Sequence, residues 1–402
     1  MKILIIRCLI GLSKIASNIT KKNRNIVIFG GKQGKWYMDN SMYLFEWFLE
    51  NRPELKVYWI TKSKIIYSEL IKKNIPCLYS YSLKGIYILS KSIIGFYTNS
   101  VNDIALSNSS LPKGMQLIAL RHGRSVKRVR FARLNHKISK TEYKERIIES
   151  KHIKIVISTS DFISDIQEEC LNIGREKHIV TGYPRNDLLI KSKSRNEEFV
   201  KKYFGDKEFS KVVLYAPSWR HNRNATSFFP FLDFDKDKFF NYIKTENILF
   251  LLRPHVNDLK YKSNREFLLS LSDGSDNVML ATHEQVPDVN QLLYYIDILI
   301  SDYSAIYHDF LLLDKPMIFI PYDINVFMEE NGFLYNYLDL LPGYNVISYD
   351  NLISAFDEIL SDSDIYIKER ERLRNLIHKY QDGNSCERIS ELVYKIQEEF
   401  NE

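Results

Sequence analysis

Residues 299–323, "LISDYSAIYHDFLLLDKPMIFIPYD", hold an apolar run, a short polar turn, a stretch of helical period and a second apolar run. The two runs are apolar at successive positions, without alternation, which suits strands buried on both faces. A strand that passes straight into a helix and then into another strand is a βαβ unit, so its strands lie parallel. The turn itself is Asp302-Tyr303-Ser304. Ser304 stands where it would cap the helix "AIYHDFLLL", and the free N–H groups of a helix's first turn carry a partial positive charge that suits phosphate. The same residues also fit a plain N-cap and a strand-end turn. The segment alone leaves both readings open.

Outward from this unit the alternation continues. "NIVIFGG", "KVYWIT", "SIIGFYT", "MQLIALRHG", "IKIVISTS" and "HIVTGYP" are strand-like, with helical-period segments such as "NSMYLFEWFLENRP" between them. The Lys-rich stretch 191–211 reads as a helix plus linker, and the pattern restarts with "KVVLYAPSW", "NILFLLRPH", "NVMLAT", "IDILISDYS" and "PMIFIPYD". The expected class is α/β, with two Rossmann-like domains whose parallel sheets face a central cleft. The expected boundaries are an N-terminal domain over 21–190, the linker 191–211, a C-terminal nucleotide domain over 212–375, and a C-terminal helix over 376–402 packing back towards the first domain.

Composition limits the function classes. The 402 residues are 45% hydrophobic and 26% charged, an ordinary globular balance. A net charge of +6 is modest and uneven, which points to local anionic partners. Nucleic acid is not expected, because the basic run has little aromatic interleaving and no recognised module. Cys8, Cys77, Cys170 and Cys386 lie far apart with no CxxC pair, so neither a zinc site nor a disulfide framework is expected. Residues 1–20 are apolar but interrupted by Arg7 and Lys14, too short and too charged to span a membrane. Leu4, Ile5, Cys8, Leu9, Leu12, Ile15 and Ala16 share one arc of a helical wheel, opposite Arg7, Ser13, Lys14, Ser17 and Lys21. That pattern suits a helix lying on an anionic membrane surface, and also one packed on its own domain.

In open parallel sheets ligands bind beyond the carboxyl ends of the strands. The polar groups there are Arg121-His122-Gly123, Ser218-Trp219-Arg220, Arg253-Pro254-His255 and Asp302-Tyr303-Ser304. Guanidinium, imidazole and hydroxyl groups all suit phosphate. Neither GxGxxG nor GxxxxGK[ST] is present, so a dinucleotide fingerprint and a P-loop are unsupported.

The chain resembles the CDP-glycerol glycerophosphotransferase family, the bacterial teichoic-acid glycerol and ribitol phosphate transferases, from about residue 25 to 390. The resemblance rests on "DNSMYLFEWF…VYWIT", "HGRSVKR", "GYPRNDLL", "VLYAPSWR", "LLRPH", "SDYSAIYHDFLLLDKPMIFIPYD", "NGFLYNYLDLLPG" and "DGNSCERI" in the family's order. It implies a GT-B architecture with the donor, CDP-glycerol or CDP-ribitol, held mainly by the C-terminal domain. It also implies a peripheral protein at the cytoplasmic face of the membrane, with a lipid-linked saccharide or polyol-phosphate acceptor. An acceptor hydroxyl would attack the phosphorus next to the polyol and release CMP. No cofactor is expected to be required, no bound metal is expected, and magnesium is expected only with free nucleotide.

The resemblance makes His122 the general base and His255 the second catalytic histidine, donating a hydrogen bond to the pyrophosphate or the leaving phosphate. An ordinary imidazole titrates near neutrality and suits the first role. Arg253, Ser304, Tyr303, Asp302, Ser218 and Arg220 are the expected donor-binding set, with Asp302 orienting the turn. Arg253 and Arg220 fit structural ion pairs equally well. Gly123, Arg124, Lys127 and Arg128 are the expected acceptor-side set. The family's usual aromatic before His-Gly is Arg121 here. It begins the basic run Arg121, Arg124, Lys127, Arg128, Arg130 and Arg133, which suits a phosphate-bearing acceptor or a solvated helical face. His308, one turn into the helix after Ser304, is a weaker candidate for the cleft. The chain lacks the long N-terminal region of the family's larger polymerases, which favours a primase-like role. A GT-B glycosyltransferase using a nucleotide sugar and a non-catalytic membrane-docked scaffold are the alternatives. Oligomeric state is left open.

Overall fold

Two parallel sheets organise the chain. The computed structural model describes residues 2–123, 126–132, 139–191, 197–220 and 226–400. The first unit comprises residues 1–122, 136–187 and 378–402, and the second 123–135 and 188–377.

The first unit holds β1 (Ile26–Phe29), β2 (Lys56–Thr61), β3 (Cys77–Tyr79), β4 (Ile94–Tyr97), β5 (Gln116–Ala119), β6 (Ile153–Ser158) and β7 (His178–Val180), ordered 3-2-1-4-5-6-7. The second holds β8 (Lys211–Tyr215), β9 (Ile248–Leu252), β10 (Val278–Leu280), β11 (Ile298–Ser301), β12 (Met317–Phe319) and β13 (Tyr344–Asn345), ordered 10-9-8-11-12-13. Every strand pair in both sheets is parallel. β9 and β11 are buried at every position, the signature of a parallel sheet covered on both faces. The strand order reverses between β1 and β4 in one sheet and between β8 and β11 in the other, and such switch points open a crevice at the carboxyl edge.

The last helix, Ser385–Glu399, contributes Cys386, Ile389, Val393 and Ile396 to the same core as Phe29, Phe45 and Trp59 of the first unit. Its N-terminus is held by Asp187 of "GYPRNDLL", whose carboxylate accepts from the Ser385 and Cys386 amides at 3.0 Å each. Gly182, at φ +85°, lets the chain pass there, because a Cβ would lie 2.3 Å from Ser385 Oγ. Two family-like segments far apart in sequence therefore form one joint.

The observed division departs from the expected boundaries. Residues 123–135, expected in the N-terminal domain, belong to the second unit, where Lys127 bridges Phe333 antiparallel. The Arg128 amide donates to Gly332 O at 3.1 Å, and the Leu334 amide donates to Val126 O at 3.0 Å. The stretch expected as a linker carries the helix Glu197–Phe204, whose Phe199 stacks on Tyr295 at 4.7 Å, so it packs on the second unit.

The helix Lys2–Ile19 packs against the helix Leu83–Lys91 and the turn Asn108–Ser110. It does so through its small polar side. Ser13 and Ser17 are buried, and Ser17 Oγ accepts from the Lys113 amide at 2.7 Å. The apolar arc stays open: Leu4, Ile5, Leu12, Ile15 and Ile19 are all exposed, joined by Leu83 and Tyr87 of the neighbouring helix. Among the described residues no helix is long and apolar enough to cross a membrane.

Candidate active site

In the second unit the turn after β11 is closed upon itself. Asp302 Oδ1 accepts from the Ser218 amide at 2.7 Å, and Oδ2 accepts from Arg220 Nη1 at 2.7 Å. Arg220 also donates through Nε and Nη2 to the two oxygens of Asp323 at 2.8 and 2.9 Å, and through Nη1 to Ser218 O at 2.6 Å. Tyr303 OH donates to Asp323 at 3.1 Å, and Tyr337 OH donates to Asp302 O at 2.9 Å. The network ties the loop after β8 to the loop after β11 across the switch point. Burial works against the Arg220 charge, but Asp302 and Asp323 outweigh it and hold its pKa above the ordinary guanidinium value. Burial raises the Asp302 carboxyl, with Arg220 opposing.

Four of the groups expected at the donor are engaged by the chain's own network, Asp302 in bonds that orient the turn and Arg220 in ion pairs. Arg220 is 4% exposed, and one guanidinium shared between two carboxylates leaves no positive surplus for a phosphate. Asp302 and Tyr303 are each 1% exposed, and the Tyr303 ring stacks on Phe327 at 4.0 Å. Ser218 is buried, with its amide on Asp302 and its carbonyl on Arg220. These residues hold the crevice loops in place. Ser304 does not cap the helix either: the N-cap of Ile306–Phe310 is Ala305, with no side-chain cap bond. The Ser304 side chain is half-buried and makes no hydrogen bond among the described residues. His308 is buried, with Nε2 3.0 Å from Tyr335 OH, and so lies in the interior.

The turn after β9 is of a different kind. Arg253 Nη1 donates to Ala281 O and Val286 O at 2.9 Å each, which fixes the guanidinium and leaves Nε and Nη2 unengaged. No carboxylate lies within ion-pair distance of it among the described residues. Burial lowers its pKa to about 10, with Asp288 opposing, so it remains a cation at neutral pH. The ring of His255 is exposed and stacks on Trp219 at 5.3 Å, with 12° between the planes. Its Nδ1 lies 3.2 Å from the Asn257 amide. An amide can only donate, so Nδ1 is the acceptor and the neutral ring carries its proton on Nε2. That tautomer presents a donor beside a cation.

In the first unit His122 follows β5 on a backbone held at several points. Arg121 and Gly123, on either side, have φ +58° and +131°. Asn40 Nδ2 donates to Arg121 O at 2.7 Å, and Arg185 Nη1 donates to His122 O at 2.8 Å and to Asp39 Oδ1 at 3.0 Å. Lys32 Nζ lies 3.6 Å from Asp39 Oδ2. Desolvation and the cations Lys32 and Arg121 hold the His122 imidazole below its ordinary pKa against Asp39, so the ring is neutral at pH 7. Asp39, Asn40 and Arg185 were not singled out from sequence. Their signal was present, since polar residues at the start of the otherwise apolar "DNSMYLFEWF" and inside "GYPRNDLL" must be satisfied when buried.

Arg121 is buried, and Lys127 and Arg128 lie on an extended strap along 332–334, with Arg128 Nε donating to Phe333 O at 3.2 Å. Lys127 and Arg128 are therefore not on a helical face, and their backbone pairing belongs to the second unit, while Arg130 opens the short 3-10 helix Arg130–Ala132. Arg124 and Arg133 lie outside the described residues. No group of three or more His, Cys, Asp or Glu side chains suits a metal ion among the described residues.

The model of the CDP-glycerol:poly(glycerophosphate) glycerophosphotransferase family matches residues 13–395. The teichoic acid glycerol-phosphate transferase of Staphylococcus aureus (strain NCTC 8325 / PS 47) is 24% identical over 93% of this chain and 94% of its own length. The teichoic acid poly(glycerol phosphate) polymerase of Bacillus subtilis (strain 168) is 28% identical over 87% of this chain, which spans only 46% of that relative. Among solved structures, the wall teichoic acid polymerase TagF with CDPG superposes with a TM-score of 0.79 at 20% identity, covering 98% of this chain and 94% of the other. UDP-GlcNAc 2-epimerase from Neisseria meningitidis has a TM-score of 0.55 at 15% identity, over 92% of this chain and 99% of its own.

Proposed function

The chain belongs to the CDP-glycerol:poly(glycerophosphate) glycerophosphotransferase family, and from that premise we propose that it moves glycerol phosphate from CDP-glycerol to a hydroxyl of a membrane-linked acceptor. The observation that carries the donor side is the turn Arg253–His255, where a half-buried guanidinium without a carboxylate partner stands in the same turn as an imidazole with its proton on Nε2. Both groups are donors, as a diphosphate requires. The Ser304 hydroxyl adds a neutral donor at the crevice, and the Arg220–Asp302–Asp323 network fixes the turn that carries it and the loop of Trp219, on which His255 stacks.

In the reaction the acceptor oxygen forms a bond to the phosphorus next to the glycerol. The bond from that phosphorus to the CMP phosphate oxygen breaks, and CMP leaves with the electron pair. The hydroxyl proton passes to the neutral His122 imidazole. Desolvation, with the cations Lys32 and Arg121, depresses the His122 pKa and makes it a weak base in the free protein, and an anionic substrate beside it would offset the cations' share. Arg185, Asn40 and Asp39 are positioning residues for His122.

Membrane attachment is the second part of the proposal. An exposed apolar stripe on the helix Lys2–Ile19, flanked by the exposed Arg7 and Lys14, matches a bilayer surface with anionic headgroups on the cytoplasmic side.

The decisive experiment incubates purified protein with CDP-glycerol, CDP-ribitol and nucleotide sugars plus lipid-linked acceptor, and identifies the released nucleotide. CMP together with acceptor extension supports the reading. Release of UDP or GDP from a nucleotide sugar would establish the glycosyltransferase alternative. His122→Ala is expected to lower turnover about 10²–10⁴-fold, and unchanged turnover removes His122 as base.

A further inference from the structure

The crevice of the first unit opens between β1 and β4, and the loop that follows β1, Gly30–Tyr37, is the least ordinary backbone near it. Lys32, Gln33 and Gly34 adopt φ +46°, +60° and +72° in succession. Two of these are not glycine, so the conformation is imposed from outside. Asp103, after β4, imposes part of it: one carboxylate oxygen accepts from the Gln33 amide at 2.6 Å, and the other accepts from the Thr98 and Asn99 amides at 2.9 and 2.8 Å. Thr61 Oγ1 and the Lys62 amide, at the end of β2, both donate to Gly34 O, at 2.8 and 2.6 Å. Gly30 permits the close approach, since a Cβ there would lie 2.4 Å from Asp103 O.

This scaffold gathers lysines. Lys32 and Lys35 sit on the loop, and the Lys62 stem lies across Gly34, where an added Cβ would be 3.1 Å from Lys62 Cγ. Lys62 Nζ donates to Asn102 O at 2.7 Å, a neutral partner that leaves its charge uncompensated at contact. No carboxylate lies within ion-pair distance of Lys35 or Lys62 among the described residues, and Asp103, which acts on the Lys62 charge, is fully buried with both oxygens engaged by amides. Burial, and to a lesser degree the neighbouring Lys35, lower the Lys62 pKa to about 8, with Asp103 opposing. Lys32 links this group to His122, whose imidazole it depresses. Trp36, beside Lys35, is 43% exposed and offers a flat apolar face.

We propose that Lys35 and Lys62, on the left-handed loop at the β1–β4 crevice, form a binding subsite for a phosphate group of the acceptor, with Lys32 between it and His122. The inference rests on the transferase reading and deepens it by assigning the acceptor's charge to named residues. A phosphodiester of a polyol-phosphate chain and the diphosphate of a lipid carrier offer the same chemistry, an anion that ammonium groups neutralise without base or sugar readout.

The test uses the full chain carrying Lys35→Gln and Lys62→Gln, singly and together, with Lys62→Arg as the charge-conserving control. The first readout is direct binding of a soluble glycerol-phosphate oligomer, which needs no turnover and so stands apart from the transferase reading. The second is steady-state kinetics with two acceptors, a lipid-linked saccharide and the same molecule bearing one glycerol phosphate. In the double variant the acceptor KM is expected to rise about tenfold or more with the CDP-glycerol KM unchanged, and its dependence on salt to flatten. Lys62→Arg should restore most of the loss. A rise confined to the acceptor bearing glycerol phosphate assigns the subsite to the polymer, while an equal rise with both assigns it to the lipid diphosphate. Unchanged oligomer binding and acceptor KM in the double variant overturn the proposal. So does a loss that follows the melting temperature equally in Lys62→Gln and Lys62→Arg, because a structural lysine would produce it.

Discussion

Two turns at the carboxyl edge of one sheet, Asp302–Ser304 after β11 and Arg253–His255 after β9, look alike in the sequence and differ in the folded chain. Both follow a fully buried strand and both carry charge. At the first, Asp302 meets Arg220, Arg220 meets Asp323, and the polar groups close on one another. At the second, Arg253 meets only backbone carbonyls, and His255 stays exposed. A charge satisfied by its own chain builds structure, and a fixed charge left unsatisfied is available to a ligand. The difference lies in the partners, which a local reading does not supply.

The largest expected effect tests the closed turn. Arg220→Ala leaves the buried Asp302 carboxylate and the half-buried Asp323 without their shared cation and is expected to cost about 3–5 kcal/mol in urea unfolding. A loss below about 1 kcal/mol would mean that the network is not structural. The open turn is expected to respond in the opposite way. Arg253→Ala should raise the CDP-glycerol KM about 10- to 100-fold, the worth of a charge-assisted hydrogen bond, with a smaller loss in unfolding than Arg220→Ala, from the Ala281 and Val286 carbonyls it leaves unpaired. A large stability loss with donor affinity intact would make the two turns the same kind of site.

The third prediction concerns pH and His122. A base with a depressed pKa stays deprotonated to lower pH, so the acid limb of kcat/KM should fall below about 6.5, the ordinary imidazole value. A limb at or above that value would show that the free protein does not depress the ring. The smallest expected effect is at Ser304. Without a capping bond to lose, Ser304→Ala should leave the melting temperature in place and raise the donor KM by no more than about tenfold. A clear drop in melting temperature would restore the capping role.

The strands show how far the sequence could be read. β1, β2, β4 to β12 coincide with runs that are apolar on both faces, and such runs mark a covered parallel sheet wherever they occur. β3, "CLY", and β13, "YN", were missed: they are edge strands of three and two residues, too short to show a period. The site divides in a similar way. His122 and His255 stand at strand ends that the pattern located, so their positions followed from the alternation. The choice between ligand and ion pair at Arg220 did not, because a buried guanidinium and a ligand-binding one have the same letter.

The sequence by itself determined the α/β class, the two runs of strands, the apolar arc of the first helix and the family. Each is written in local periodicity or in motif order, which survive without coordinates. Tertiary structure alone decided that residues 126–128 pair with 332–334, that Asp187 caps the last helix, and that the apolar arc faces outward. It also decided which cations are neutralised and which are left over. Those outcomes depend on contacts between residues distant in the chain, and the balance of charge at a contact is set by who arrives there.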